Sequence, residues 1–365
     1  MHEALNGISR RDFLKYCGSI AAMLGLSELY VPQIANALED AAKKPPVVWI
    51  NGQACTGCLI SLLNSRKPGA ADVILDTISL RFQETVMASA GDLAIKTLDD
   101  TIAEQKGKYI LLVEGGVPTA EDGRFCRVGE KDGKPVAFVD WVEKAGKNAM
   151  AVVAVGTCSA YGGIPAANPQ TGVKPVSEIL KGTPVVNVPG CPPHPDWIIG
   201  TLVELLVFGR EKLVKNLDRH GRPLTFYSKT VHDNCPRRHW FEAGQFLTDW
   251  NDPEQAHLCL FLKGCKGPQS FADCPKRHWN EGINWCIGAN APCNGCVQPE
   301  FYKDFAPLYE KLPDVNVPAI AGYEVGADKI GAILGIVTLA GIGAHFVGQV
   351  ATGRLGKGGP REGGK

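Results

Sequence analysis

One stretch constrains this chain more than any other. Between His232 and Cys296 lie Cys235, Cys259, Cys265, Cys274, Cys286, Cys293 and Cys296. With His232 they make eight soft donors, or two sets of four. Four donors, mostly thiolate, suit an iron–sulfur cluster or a structural zinc. The same region carries Gly264, Gly267, Gly282, Gly288 and Gly295, and Pro236, Pro268, Pro275, Pro292 and Pro299. Long helices and strands do not survive that density of breakers. The segment is predicted to be loops and short helices wrapped around bound groups that replace a side-chain core.

Two other uses of the cysteines compete. Disulfides suit an exported protein, but 365 residues at 45% hydrophobic can build a core without staples, and an odd total of 13 cysteines cannot all pair. Zinc sites usually come as paired C-x2-C units. Here Cys293 and Cys296 lack a second such pair nearby, and the Cys259–Cys265 spacing is not zinc-like. Lys plus Arg equals Asp plus Glu, 38 each, so no basic field exists to recruit nucleic acid.

The chain opens with Ser9-Arg10-Arg11-Asp12-Phe13-Leu14-Lys15, an apolar run from Ile20 to Leu26, and a small-x-small site at Ala35-Asn36-Ala37. This is the pattern of a twin-arginine export signal, whose pathway carries folded proteins with cofactors already inserted. Cys17 lies inside that signal and is not counted as a donor.

Strand-like and helix-like runs then alternate. Val47–Ile50 leads to Cys55-x2-Cys58 and an apolar helix. Tyr109–Val113 ends in Glu114-Gly115-Gly116, Ala151–Val155 in Gly156-Thr157-Cys158, and Val185–Val188 in Pro189-Gly190-Cys191. Helical stretches at Ile95–Glu104, Phe138–Lys147 and Trp197–Phe208 lie between or after them. The alternation predicts a parallel, doubly wound α/β sheet. Its strand ends lie along one edge, where such sheets place ligands, so Cys55, Cys58, Cys158 and Cys191 are expected to converge. Gly57, Gly156 and Gly190 would let the backbone approach a bound cluster. Glu114 is either an interface carboxylate or a solvated loop group. Gly209–Pro223 is the expected domain boundary.

Setting aside Cys17, and Cys126 as a structural thiol, eleven of the 13 cysteines remain, and His232 brings the donors to three sets of four. Cys235-Pro-Arg-Arg-His-Trp240 and Cys274-Pro-Lys-Arg-His-Trp279 are near repeats. Trp240 and Trp279 are expected to pack over the bound groups. Arg237, Arg238 and Lys276 face solvent or form a redox docking patch, and His239 and His278 compete with His232 as ligands. The uncharged run Ile330–Ala351 is long enough to cross a membrane, with Gly331 and Gly335 as a close-packing face. Arg354, Lys357, Arg361 and Lys365 place the C-terminus in the cytoplasm and the preceding domain outside. His345 is the one ionisable residue in the run and a functional suspect, towards a haem in a membrane partner or near the interface.

The motifs Gly-Gln-Ala-Cys-Thr-Gly-Cys at 52–58, Gly-Thr-Cys-Ser-Ala-Tyr-Gly-Gly at 156–163, Pro-Gly-Cys-Pro-Pro-His-Pro at 189–195 and Gly-Cys-Lys-Gly-Pro at 264–268 resemble those of the small, electron-transferring subunit of membrane-bound [NiFe] hydrogenases. The resemblance spans nearly the whole chain. It implies that Cys55, Cys58, Cys158 and Cys191 bind a proximal [4Fe–4S] cluster. His232, Cys235, Cys259 and Cys265 would bind a distal one, and Cys274, Cys293 and Cys296 a medial one. The nickel–iron site would sit on a separate large subunit, with a membrane cytochrome b or other quinone-linked subunit as electron partner.

The implied organisation is a signal over 1–37, a flavodoxin-like domain over 46–208, and an irregular, loop-rich cluster domain over 223–310. A transmembrane helix over 328–352 and a cytoplasmic tail over 353–365 would follow, with the body on the periplasmic face. Two departures matter. Cys286 stands where most of the family has proline and a medial [3Fe–4S] cluster, so a medial [4Fe–4S] cluster is expected, as in the selenium-containing branch. A fourth thiolate lowers the potential and suits reversible catalysis or hydrogen production. Gly57 and Gly163 stand where oxygen-tolerant members carry extra cysteines, which implies oxygen sensitivity. The rivals are the iron–sulfur subunit of another respiratory complex, disfavoured by the signal and the eight-donor segment, and a secreted zinc or disulfide protein.

Overall fold

The computed structural model describes residues 10–40, 45–66, 69, 78–312, 316–318 and 324–353. Residues 1–311 form one compact unit and 312–365 a second. The first unit begins with helices α1 (Arg10–Met23) and α2 (Val31–Asp40). Then come β1 (Pro46–Asn51), α3 (Gly57–Leu63), β2 (Ser79–Phe82), α4 (Gly91–Glu104), β3 (Ile110–Glu114) and α5 (Phe138–Asn148). The main elements close with β4 (Ala151–Val155), α6 (Thr157–Tyr161), β5 (Val185–Val188) and α7 (Pro195–Phe208).

The five strands pair in parallel in the order β2-β1-β3-β4-β5. This is the flavodoxin-like order, with its topological switch between β1 and β3. Strands β3 and β4 are buried along their whole length, which is why Ile110–Val113 and Ala151–Val155 read as unbroken aliphatic runs. Strand β2 is not announced by the sequence. It has four residues, and only Phe82 is fully inside. An edge strand that short carries almost no alternation.

Apolar residues recur at helical spacing in α4 (Ala94, Ile95, Leu98, Ile102) and α5 (Phe138, Trp141, Val142, Ala145), and these stripes cover one face of the sheet. The other face packs Trp49, Leu112, Val153 and Val155 against α3 and α7. Helix α7 is apolar almost all round, so it must be covered on every side. Helices α1 and α2 complete that cover, with Cys17, Ile20 and Ile34 fully buried in the shared core. The segment read as an export signal is thus a packed helical pair, with Ala35 of its small-x-small site buried. Ser9 lies outside the described residues.

Cys265, Ala272, Trp285, Ile287 and Val297 join this same core, so the cysteine-rich segment packs directly on the sheet layer. The connecting stretch holds a short helix, Arg210–Lys215, and Gly221 accepts the Asn187 main-chain N–H at 2.7 Å. Among the described residues from Pro223 to Leu312 no helix exceeds 5 residues. The density of Gly and Pro predicts this.

In the second unit an antiparallel pair, Asn316–Pro318 with Glu324–Gly326, precedes helix α8 (Ala327–Ala351). Gly331–Ala351 is long and apolar enough to cross a membrane, and none of it is buried. The His345 ring meets the Gln349 side chain one turn on, at 3.4 Å. Arg354, Lys357, Arg361 and Lys365 lie outside the described residues.

Candidate cluster sites

Register places Asn51, Glu114, Val155 and Val188 in one row at the carboxyl edge of the sheet. The chain leaves β1, β4 and β5 at this row and turns at once into Cys55 and Cys58, Cys158, and Cys191. Their sulfurs are close enough to act on one another. Burial pushes the Cys58 thiol far above its ordinary value, and Glu114, Cys158, Cys55 and Cys191 all push the same way. Burial, with Cys191 and Cys55 adding to it, holds Cys158 at about 12. Thiols in such a site do not ionise by themselves at neutral pH; a bound cation supplies the compensating charge.

Close approach explains the glycines. A Cβ on Gly156, at φ +89°, would sit 2.5 Å from the Cys58 sulfur. One on Gly163 would lie 3.1 Å from the Cys158 sulfur, and one on Gly57 3.0 Å from that of Cys55. Thr56, between the first two cysteines, is held at φ +65°, a left-handed conformation that a β-branched residue rarely adopts. Glu114 is neither a solvated loop group nor exposed. It is 1% accessible, and its carboxylate accepts from the Trp49 indole N–H at 3.0 Å and the Cys58 main-chain N–H at 3.1 Å. Burial raises its carboxyl.

The eight donors of the later segment fall into two groups. His232, Cys235, Cys259 and Cys265 line one hollow, walled by Phe241 and Ile287. The His232 ring packs edge-on to Phe241, 4.6 Å between centroids, and burial and Arg238 lower its pKa. Cys235 and Cys259 both press on Cys265, which burial raises to about 11. In the other group, burial drives Cys274 far up, and Cys296, Cys293 and Cys286 add to it. Cys286 is the exposed member.

The three groups touch in series. The Gly190–Cys191 turn meets Cys296 at the first junction, and at the second the main-chain N–H of Lys266, next to Cys265, donates to the Cys293 carbonyl at 2.7 Å. Thr157 reinforces the first junction. Its hydroxyl accepts from the Gly190 N–H at 2.9 Å and donates to the Cys296 carbonyl. The sequence assigns Thr157 no role, although it stands inside the Gly-Thr-Cys motif.

Other candidates stand apart. The Cys126 thiol is raised by burial to about 11, with Glu84 adding to it. The His278 carbonyl receives the His194 ring at 2.7 Å and its own ring stacks on Trp285, while the His239 ring lies against Trp240. Trp279 packs on His194 and Trp197. Lys276 belongs to the repeat whose Arg277 is tied to Asp196 and Asp273. Arg238 pairs with Glu242 at the surface, and Arg237 donates to the Leu258 carbonyl and the Asn290 side chain.

No cysteine from Cys55 onward is in a disulfide. Among the described residues no three His, Cys, Asp or Glu donors stand close enough for a single metal ion. Groups of cysteine thiols with glycines packed against their sulfurs have the donor chemistry of iron–sulfur sites.

Comparison with known proteins agrees with this chemistry. Residues 55–205 match the family model of the NADH ubiquinone oxidoreductase 20 Kd subunit, and residues 227–309 match that of the C-terminal region of the NiFe/NiFeSe hydrogenase small subunit. The periplasmic [NiFeSe] hydrogenase small subunit of Desulfomicrobium baculatum is 44% identical over 83% of this chain and 98% of its own. The uptake hydrogenase small subunit of Azotobacter vinelandii is 42% identical over 93% and 92%. The solved [NiFeSe] hydrogenase of Desulfovibrio vulgaris Hildenborough is 46% identical, with a TM-score of 0.70 over 73% of this chain and 98% of that one. The paired cysteine groups at the sheet edge and in the loop segment, with these relatives along nearly their whole length, make the chain a member of the NiFe/NiFeSe hydrogenase small-subunit family.

Proposed function

We propose that this hydrogenase small subunit holds three iron–sulfur clusters in series. Cys55, Cys58, Cys158 and Cys191 hold the proximal [4Fe–4S] cluster. Cys274, Cys286, Cys293 and Cys296 hold a medial [4Fe–4S] cluster, and His232, Cys235, Cys259 and Cys265 the distal [4Fe–4S] cluster. The observation that carries this is the series contact of three donor groups, through Thr157 between Gly190 and Cys296 and through the Lys266–Cys293 main-chain hydrogen bond beside Cys265. Bound clusters supply one-electron carriers between hydrogen chemistry on the large subunit and an acceptor beyond the distal group. This chain's residues position them: the sheet edge fixes the first group, Thr157 pins it to the second, and Phe241 and Ile287 shield the third.

Twin-arginine export, the periplasmic location and a membrane cytochrome b or quinone-linked partner belong to the same proposal. The leader motif and α8 support them. A chain ending at Gly326, co-produced with its large subunit, is expected in the soluble periplasmic fraction with its cluster spectra intact. Recovery of that truncated complex in membranes would remove α8 as the anchor.

Electron paramagnetic resonance of the purified complex tests the cluster assignment. Reduced-state signals with no oxidised cluster signal are expected. A strong oxidised [3Fe–4S] signal would take Cys286 out of the medial ligand set, and silence in both states would remove the clusters altogether.

A further inference from the structure

Lys266 sits at the seam between the second and third donor groups. It follows Cys265 directly, and its main-chain N–H donates to the Cys293 carbonyl at 2.7 Å. Its side chain is 1% accessible. The Nζ donates to the Gly264 carbonyl at 2.9 Å and the Glu310 carbonyl at 2.6 Å, and it has no ion-pair partner among the described residues. Burying an ammonium is costly unless negative charge or dipoles compensate it. Two carbonyl dipoles do part of this. Burial lowers the Lys266 pKa, and Cys265, Cys293 and Glu310 act against it, so two of the three opposing groups are sulfurs from different donor groups, one bonded next to the lysine and one on the residue whose carbonyl its N–H meets. None of Cys55, Cys58, Cys158 or Cys191 is among them.

We infer that Lys266 is a buried fixed cation that raises the reduction potentials of the medial and distal clusters together and leaves the proximal cluster unmoved. The inference rests on the three-cluster reading and adds a tuning residue to it. Reduction adds negative charge to a cluster, and a nearby cation in a poorly screened interior favours that charge. Because the lysine straddles the seam, its effect is shared. The last two carriers are raised together, so the difference between them is unchanged while both become better acceptors for electrons from the proximal group. Arg237 cannot do this, because its charged neighbours are Cys235, Cys259 and Cys265, all of one group.

The test is a redox titration of the purified heterodimer followed by electron paramagnetic resonance, comparing Lys266→Gln and Lys266→Arg with the parent. Gln keeps a donor for the Gly264 and Glu310 carbonyls and removes the charge, whereas Arg keeps the charge. In Lys266→Gln the medial and distal potentials are expected to fall by about tenfold in the oxidised-to-reduced ratio, about 59 mV for a one-electron couple. The proximal potential stays, and Lys266→Arg stays close to the parent in all three. Native potentials in Lys266→Gln would overturn the inference and leave a hydrogen-bonding role. An equal fall at all three clusters would overturn it too, as a general loosening. Absence of any cluster signal in the parent would instead remove the three-cluster reading itself.

Discussion

Gly156→Ala is expected to lose the proximal cluster signal and to lower hydrogen-dependent dye reduction by about 10–100-fold, the range seen when support of a metal ligand is removed. The new Cβ would stand 2.5 Å from the Cys58 sulfur. In a free thiol the sulfur could rotate away; as a ligand it has one productive position. The left-handed backbone adds strain of about 1–3 kcal/mol for a non-glycine residue. Gly182→Ala separates the two effects. Gly182 has φ +83° and open space around its added Cβ. It is expected to cost some stability and leave the cluster spectra alone. Equal spectral damage in both variants would assign the effect to backbone strain and not to crowding of Cys58.

Cys286→Pro and Cys286→Ala are expected to produce an oxidised-state [3Fe–4S] signal that the parent lacks, with a rise in the medial potential. Cys286 acts on both Cys274 and Cys296, so its sulfur is placed with that group, yet it is exposed. A ligand at the surface is the one whose iron is lost with least rearrangement. Its carbonyl accepts from Ala289 and Ala291, and the Ala variant keeps that turn while removing only the thiol. Unaltered spectra in both variants would make Cys286 a spectator.

The aliphatic runs at 110–113, 151–155 and 185–188 announced their strands because a central parallel strand is covered on both faces and carries no polar alternation. From there the placing of Cys55, Cys58, Cys158 and Cys191 along one edge follows from topology. Strand β2 is not legible in the sequence because an edge strand of four residues has too little burial to pattern it. Residue type and spacing leave Glu114 open between two exposed roles. Its burial depends on Trp49 and the Cys58 amide, which lie 65 and 56 residues away.

The sequence by itself determined the chemistry of this protein: how many soft donors it has, that breakers surround them, and that a twin-arginine motif and an apolar tail flank the body. These are local properties, written in residue type and short-range spacing. Tertiary structure alone decided which donors stand together. Cys265 is nearer along the chain to Cys274 than to Cys235, yet it joins Cys235 and Cys259, because the turn at Gly264–Gly267 and the Lys266–Cys293 hydrogen bond set its direction. It also decided that α1 and α2 pack on α7, whose apolar circumference needs cover on every side. Proximity in a loop-rich segment is fixed by long-range packing, and no spacing along the chain encodes it.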